Sequence, residues 1–271
     1  MALEQVRYEV DQHVATVTLD RPEKLNAWTR RMSEDLREAM RQADDDPSVR
    51  VIIFTGAGRG FCAGGDMGLL SDIGADRDRH AVPPAGAFDP RGPVDFHGPD
   101  SYFPSISKPI ICALNGVAAG IGLVYPLYCD LRFAASEAYF FTAFAQRGAV
   151  AEHGMSWLLP RLVGLPNAFD LLYSARRIDA AEALRMGLVN RVVPSAELMS
   201  ETRAYAQLLA TQVSPRSLKV IKRQLWDDQM RGLGPAVAVS QAEMALSFLS
   251  DDFREGISHF VERRAPRFTG E

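Results

Sequence analysis

No run of apolar residues in this chain comes near the roughly 20 that a membrane-spanning helix requires. The longest, Val117 to Leu127, is broken by glycines and by Pro126. The opening MALEQVRYEV is charged and lacks the apolar stretch of a secretory leader, so a cytoplasmic protein with no membrane insertion is expected. Cysteine is scarce. Cys62, Cys112 and Cys129 are odd in number, widely spaced and never in a CxxC pair, which suits reduced core thiols better than a disulfide framework. The five histidines are scattered, and no metal site is expected. Basic excess is missing too: 30 Lys and Arg against 34 Asp and Glu leave a net charge of −4. A nucleic-acid partner, which would demand a basic face, is therefore not expected. What remains is an ordinary globular composition, 47% hydrophobic and 24% charged over 271 residues, enough for a sizeable core.

Along the chain, Val6–Val10 and Val14–Leu19 read as short strands, the second alternating and closed by Arg21–Pro22. Met32, Leu36, Ala39 and Met40 recur at helical spacing and predict an amphipathic helix from about Thr29 to Asp45. Val51–Thr55 reads as a buried parallel strand running into a glycine-rich turn, Gly56 to Gly65. Strand–helix–strand order at this spacing is an α/β signature. Residues 74–104, rich in proline and glycine, read as a long surface loop, either a lid or a tolerated insertion. Pro109–Leu114 is a second buried strand, followed by a turn with Gly120 and Gly122 and an apolar helix to about Cys129. Further strands are expected near Leu131–Ala134 and Ala138–Phe141. Residues 196 to 265 are almost wholly helical in pattern.

Five segments in fixed order then carry a resemblance: DRPEKLNAW (Asp20–Trp28), GRGFCAGGDM (Gly58–Met67), KPIICALNGVAAGIG (Lys108–Gly122), CDLRFAA (Cys129–Ala135) and DAAEALRMGLVNRVV (Asp179–Val193). Over nearly its whole length the sequence resembles the crotonase superfamily, the enoyl-CoA hydratase/isomerase family. The resemblance implies an α/β fold, a spiral of ββα units over residues 1–195, and a C-terminal helical oligomerisation region over 196–271. It also implies a homotrimer or homohexamer, an acyl-CoA thioester substrate, and no cofactor beyond the coenzyme A of that substrate.

Chemistry beside a thioester carbonyl builds negative charge on the oxygen. Backbone N–H groups in a tight turn or at a helix start are pre-aimed donors for it, each worth about 2.7–4 kcal/mol of barrier. Similarity places these donors on Gly65 and Ile121. It further places Lys24, Leu25, Ala27, Ala63, Met67 and Gly120 along the coenzyme A path, Lys24 as a phosphate partner. Asp66 is expected to hold its loop together.

The sequence departs from the family's hydratases at the two positions where they carry glutamates. Val124 and Phe144 stand there, and neither moves a proton. The remaining candidate is Glu152 in GAVAEHG (Gly148–Gly154), a position that resembles the aspartate of dienoyl-CoA isomerases. Val150 and Ala151 precede it, and a carboxyl group in apolar company titrates nearer neutrality, which suits a proton carrier. His153 is a possible second acid or base, or an orienting group for Glu152. A single carboxylate beside an oxyanion hole suits a 1,3-proton shift, and hydration follows if it also activates a water. Tyr125, Tyr139 and Trp157 are expected to be pocket walls or core.

Two other readings compete. Gly58–Ala63 matches GxGxxA after a strand, the dinucleotide fingerprint. The glycines that follow spoil the required helix, and Asp76 and Asp78 lie in a polar loop; titration with NADH tests this reading. The missing glutamates motivate the second, a catalytically degenerate acyl-CoA-binding protein of the same fold.

Overall fold

The computed structural model describes residues 2–69, 71 and 86–271. Six strands form the main sheet: β1 (Val6–Asp11), β2 (Val14–Leu19), β3 (Val51–Gly56), β4 (Ile110–Leu114), β6 (Leu131–Ala135) and β9 (Arg191–Val193), in that spatial order. Only β1–β2 is antiparallel, a hairpin with Val6 opposite Leu19. The other pairs are parallel. Parallel strands are covered on both faces, and β2, β3 and β4 are buried at every position.

A second, smaller layer runs beside the first. It holds β5 (Ala118–Ala119), β7 (Tyr139–Phe141) and β8 (Ile178–Asp179). Isolated bridges extend it: Cys62 pairs with Ala118, and Trp28 with Gly65. Main-sheet strands β4 and β6 thus each hand the chain to a short partner in the second layer, β5 and β7. Where a helix follows, as with β4, β5 and α2 (Ile121–Tyr128), the unit is ββα, and successive units wind into a spiral.

Helix α1 (Arg30–Asp45) begins where the Thr29 hydroxyl accepts the Met32 N–H at 3.0 Å. Its buried stripe, Met32, Leu36, Ala39, Met40 and Ala43, is the face that the spacing predicts. Each of the larger side chains contributes about 1.5–3 kcal/mol by burial.

The stretch read as a surface loop is corrected for its described half. Residues 72–85 lie outside the described residues. From Gly86 onward the chain enters the core: Phe88, Phe96, Tyr102 and Phe103 are buried, and the rings of Phe88 and Tyr102 stack at 5.0 Å. Proline and glycine content hid four aromatic anchors, each able to bury 150–250 Å².

From Met155 onward helices dominate: α3 (Met155–Val163), α4 (Leu165–Ser174), α5 (Ala180–Met186), α6 (Leu198–Gln212), α7 (Pro215–Asp227), α8 (Leu233–Ser247) and α9 (Asp251–Glu262), with only β8 and β9 among them. Helix α6 seals the main sheet with Leu198, Ala206 and Ala210. Helix α8 buries none of its residues, although Leu233, Val237, Met244 and Leu246 are apolar. Among the described residues no helix is long and apolar enough to cross a membrane.

Candidate active site

The two glycine turns lie side by side in the second layer. Cys62 donates its N–H to the Val117 carbonyl (2.9 Å) and accepts from the Ala119 N–H (3.0 Å). Three residues further along each chain stand Gly65 and Ile121. On the other flank, Trp28 donates to the Gly64 carbonyl (2.8 Å) and accepts from the Asp66 N–H (2.9 Å). That bridge uses the groups on either side of Gly65 and leaves the Gly65 N–H turned away from Trp28. Ile121 is the first residue of α2, where a backbone N–H has no partner within its own helix. Both residues are partly exposed, while Gly64 and Gly122 beside them are buried.

Glycine is required at two points of this arrangement. Gly64 sits at φ 103° and would bring a Cβ to 3.2 Å from the Ala119 carbonyl oxygen. Gly120, at φ 51° and ψ −126°, turns the chain into α2.

The loop ahead of α1 packs on the first turn. Ala63 donates to the Leu25 carbonyl at 3.0 Å. Lys24 and Met67 are exposed, Leu25, Ala27 and Ala63 partly so. Asp66 does hold its loop: it accepts the Gly68 N–H (2.9 Å) and pairs with Arg21 (3.1 Å), bonds that keep its carboxyl below the usual carboxylate range. Asn26 is a missed structural residue. At φ 55°, its amide donates to the Ala57 and Gly60 carbonyls, both at 2.9 Å, and its oxygen accepts the Arg21 N–H at 2.8 Å. Asparagine is enriched in the left-handed region, so the LNA tripeptide held a usable signal.

Val124 is fully buried and Phe144 packs against the core, so neither hydratase-type position offers a proton carrier. Glu152 lies three residues ahead of the first residue of α3. The apolar enclosure expected around it is absent: its side chain is 47% exposed, because the turn at 152–154 lifts it off the core that Val150 and Ala151 were expected to supply. Val150 is itself 75% exposed. The partner of Glu152 is instead His153, whose Nε2 lies 3.2 Å from Oε2.

The far side of His153 shows what sequence reading missed. Its Nδ1 lies 2.7 Å from Asp100 Oδ2. Asp100 also accepts a hydrogen bond from the Tyr125 hydroxyl, and its side chain is only 16% exposed. Burial opposes the ionised form of Asp100; the His153 bond and charge, the Tyr125 bond and the Arg37 charge outweigh it, and its pKa falls below the ordinary value. For His153, burial pulls downward, and Asp100 and then Glu152 outweigh it, so its pKa is raised. No periodicity or motif in the proline-rich stretch marked Asp100.

The two groups of residues are joined through side chains. Trp28, bridged to Gly65, stacks on Tyr125 with ring centroids 4.2 Å apart, and Tyr125 binds Asp100. Helix α2 carries both ends, since Ile121 begins it and Tyr125 and Tyr128 lie one and two turns on. The Tyr128 hydroxyl donates to the His153 carbonyl at 2.9 Å, and burial pushes this phenol up to about 12. Beyond His153 opens a cavity of about 430 Å³, lined by Asp100, His153, Tyr128, Trp157 and Trp226 among others. No group of three metal-ligating side chains is present among the described residues.

Comparisons with known proteins agree on one family. The model of the enoyl-CoA hydratase/isomerase family matches residues 9–87 and 97–271. The 1,2-epoxyphenylacetyl-CoA isomerase of Escherichia coli is 35% identical over 271 residues, covering 99% of this chain and 100% of that protein. A Mycobacterium bovis protein named "Probable enoyl-CoA hydratase echA8" is 33% identical over 269 residues, with 99% of both chains covered. The crystal structure of enoyl-CoA hydratase from Bacillus anthracis superposes with a TM-score of 0.87 at 27% identity, covering 99% of this chain and 100% of that one.

Proposed function

Since the chain belongs to the enoyl-CoA hydratase/isomerase family and is an enzyme of that family, we propose that it acts on an enoyl-CoA thioester through an enolate, with the N–H groups of Gly65 and Ile121 holding the thioester oxygen and Glu152 moving the proton. One observation carries this reading: the Cys62–Ala118 pairing sets the two glycine turns abreast, with Gly65 and Ile121 the same number of residues past it. Donors fixed by backbone pairing need no reorganisation as charge develops. Glu152 would take a proton from the α or γ carbon. The electron pair of that C–H bond passes into the dienolate, and the same carboxyl returns the proton to the other carbon. Apolar Val124 and Phe144 favour this shift over a two-glutamate hydration.

Coenzyme A would follow Lys24, Leu25, Ala27, Ala63, Met67 and Gly120, and no further cofactor is needed. The uncovered apolar residues of α8 support assembly into a homotrimer or homohexamer. Residues 1–195 would act as the spiral core, 196–271 as the oligomerisation region, and the cytoplasm suits three unpaired buried thiols.

A panel of 2- and 3-enoyl-CoA thioesters in deuterated water tests the reaction. Deuterium at the α or γ carbon without added oxygen indicates isomerisation, and a 3-hydroxyacyl product indicates hydration. Glu152→Gln should lower turnover by roughly 10²–10⁴-fold. Full activity in that variant refutes the role of Glu152. Tight binding with no turnover by the parent would favour the degenerate, binding-only reading.

A further inference from the structure

We infer that Asp100 and His153 are positioning residues for Glu152, so that the proton-moving unit is a carboxylate–imidazole–carboxylate line and not a lone glutamate. This rests on the role proposed for Glu152 above.

Both ring nitrogens of His153 face carboxylate oxygens, Nδ1 at 2.7 Å from Asp100 and Nε2 at 3.2 Å from Glu152. A neutral imidazole donates from one nitrogen only, so two carboxylate acceptors are served together only by the imidazolium. The Asp100 side of the ring is firmly held. Asp100 is held by the Tyr125 hydroxyl, with the Arg37 charge nearby. The His153 backbone, at φ 54°, is held by the Tyr128 hydroxyl. Gly154 closes the turn, because a Cβ there would sit 2.3 Å from that hydroxyl oxygen. Asp95 and Trp157 line the cavity in front of the ring. Four segments remote in sequence thus converge to aim one Nε2–H.

The aimed N–H engages Oε2 of Glu152 and leaves Oε1 for the substrate. When Glu152 accepts the proton, the substrate C–H bond breaks, its electron pair moves into the dienolate, and an O–H bond forms on Glu152. His153 keeps its own proton throughout. Deprotonating His153 removes the donor to Glu152, so turnover should decline on the alkaline side as the ring loses its charge. Glu152 and Asp100 face the ring directly, Tyr125 and Arg37 stand behind Asp100, and these are the charges that set where the decline falls.

His153→Asn and Asp100→Asn test the inference, asparagine being tolerated at positive φ. The readouts are kcat and KM against pH on a 3-enoyl-CoA, and the His153 ring-proton titration by NMR. His153→Asn should lose kcat on the order of 10²-fold, with KM little changed and the alkaline decline abolished. Asp100→Asn should shift that decline and the NMR midpoint downward, and Glu152→Gln should also lower the midpoint. The NMR arm needs no turnover and still reports if a variant is inactive. If the midpoint is the same in all three proteins, or both asparagine variants keep the parental pH profile, the inference is overturned. An inactive Glu152→Gln alongside unchanged profiles sinks only the positioning role. A fully active Glu152→Gln sinks the proposed function and this inference together.

Discussion

Substituting Gly122 by alanine sets helix propensity against packing. Gly122 is the second residue of α2, and an alanine there would by propensity alone stabilise the helix by about 1 kcal/mol. The structure predicts the opposite. A Cβ at this position would lie 2.5 Å from the Cys62 carbonyl oxygen, 2.6 Å from its sulfur and 2.7 Å from its Cβ. Two of these are atoms that no side-chain rotation can move, and non-bonded carbons rest at about 3.5–4.0 Å. The 62–65 turn and the start of α2 must therefore separate by roughly 1 Å. Overpacking of this kind costs about 1–3 kcal/mol, enough to reverse the propensity gain. The functional effect should be larger than the loss of stability. Displacements near 1 Å cost roughly 10²-fold in a positioned reaction, and loss of one oxyanion donor costs about 2.7–4 kcal/mol. Gly122→Ala should thus show a kcat for a 3-enoyl-CoA reduced by roughly 10²-fold and a modestly lower urea midpoint. Gly234→Ala, at the second residue of α8 with open space around the added methyl, should leave kcat unchanged and raise the urea midpoint modestly. A Gly122→Ala enzyme with parental turnover and stability would show that the Gly122–Cys62 contact does not gauge the distance between the two turns.

Three other outcomes are expected. Asn26→Ala removes three loop hydrogen bonds and places alanine at φ 55°, so it should cost about 2 kcal/mol or more in urea unfolding; a loss under 0.5 kcal/mol, the ordinary surface range, would contradict the role assigned to it. The raised pKa of His153 gives stability that is fully present below the ring's ordinary value of 6.5 and lost as pH rises through the folded value. The stability gap between the parent and His153→Asn should therefore be widest in mildly acidic buffer and narrow on the alkaline side; a gap that widens with pH reverses the sign and refutes it. All three cysteines are buried, and burial pushes the Cys62 thiol up to about 12, so a thiol reagent at pH 8 should label none until the protein unfolds; rapid native labelling of Cys62 would disprove the packing of Gly122 upon it.

The parts of the fold that were legible in the sequence are those whose signal is local. The α1 stripe from Met32 to Ala43 is helical periodicity, and β3 and β4 are short apolar runs bounded by turns. The glycines at 64, 65, 120 and 122 announced turns of special geometry, and the five ordered segments gave the family. Contacts between distant segments were not legible. Asp100 lies 25 residues from Tyr125 and 53 from His153, and nothing in its neighbours separates it from Asp95 or Asp89. The buried aromatics after Gly86 were masked by the prolines among them. Glu152 failed differently. Its neighbours Val150 and Ala151 implied an apolar setting, but a turn points successive side chains in different directions, and composition cannot report direction.

Helix α2 explains how such scattered residues can act as one site. It is eight residues long, rises about 1.5 Å per residue, and is nearly all buried. It starts at Ile121, three residues past the Cys62–Ala118 bridge, while Tyr125 and Tyr128 reach the Asp100 segment and the 152–154 turn from the same rigid rod. In the family's hydratases the proton carriers stand at the positions of Val124 and Phe144, beside the start of this helix. Here those positions are apolar, and the helix's own titratable side chains, Tyr125 and Tyr128, stand one and four residues beyond Val124. On the reading proposed above, with the thioester oxygen held at the helix start, the carboxylate left to move a proton is the single one beside His153. A single carboxylate suits proton exchange between the α and γ carbons better than a two-carboxylate delivery of water to the β carbon, and it predicts that product analysis in deuterated water will find γ-carbon label before any 3-hydroxyacyl thioester.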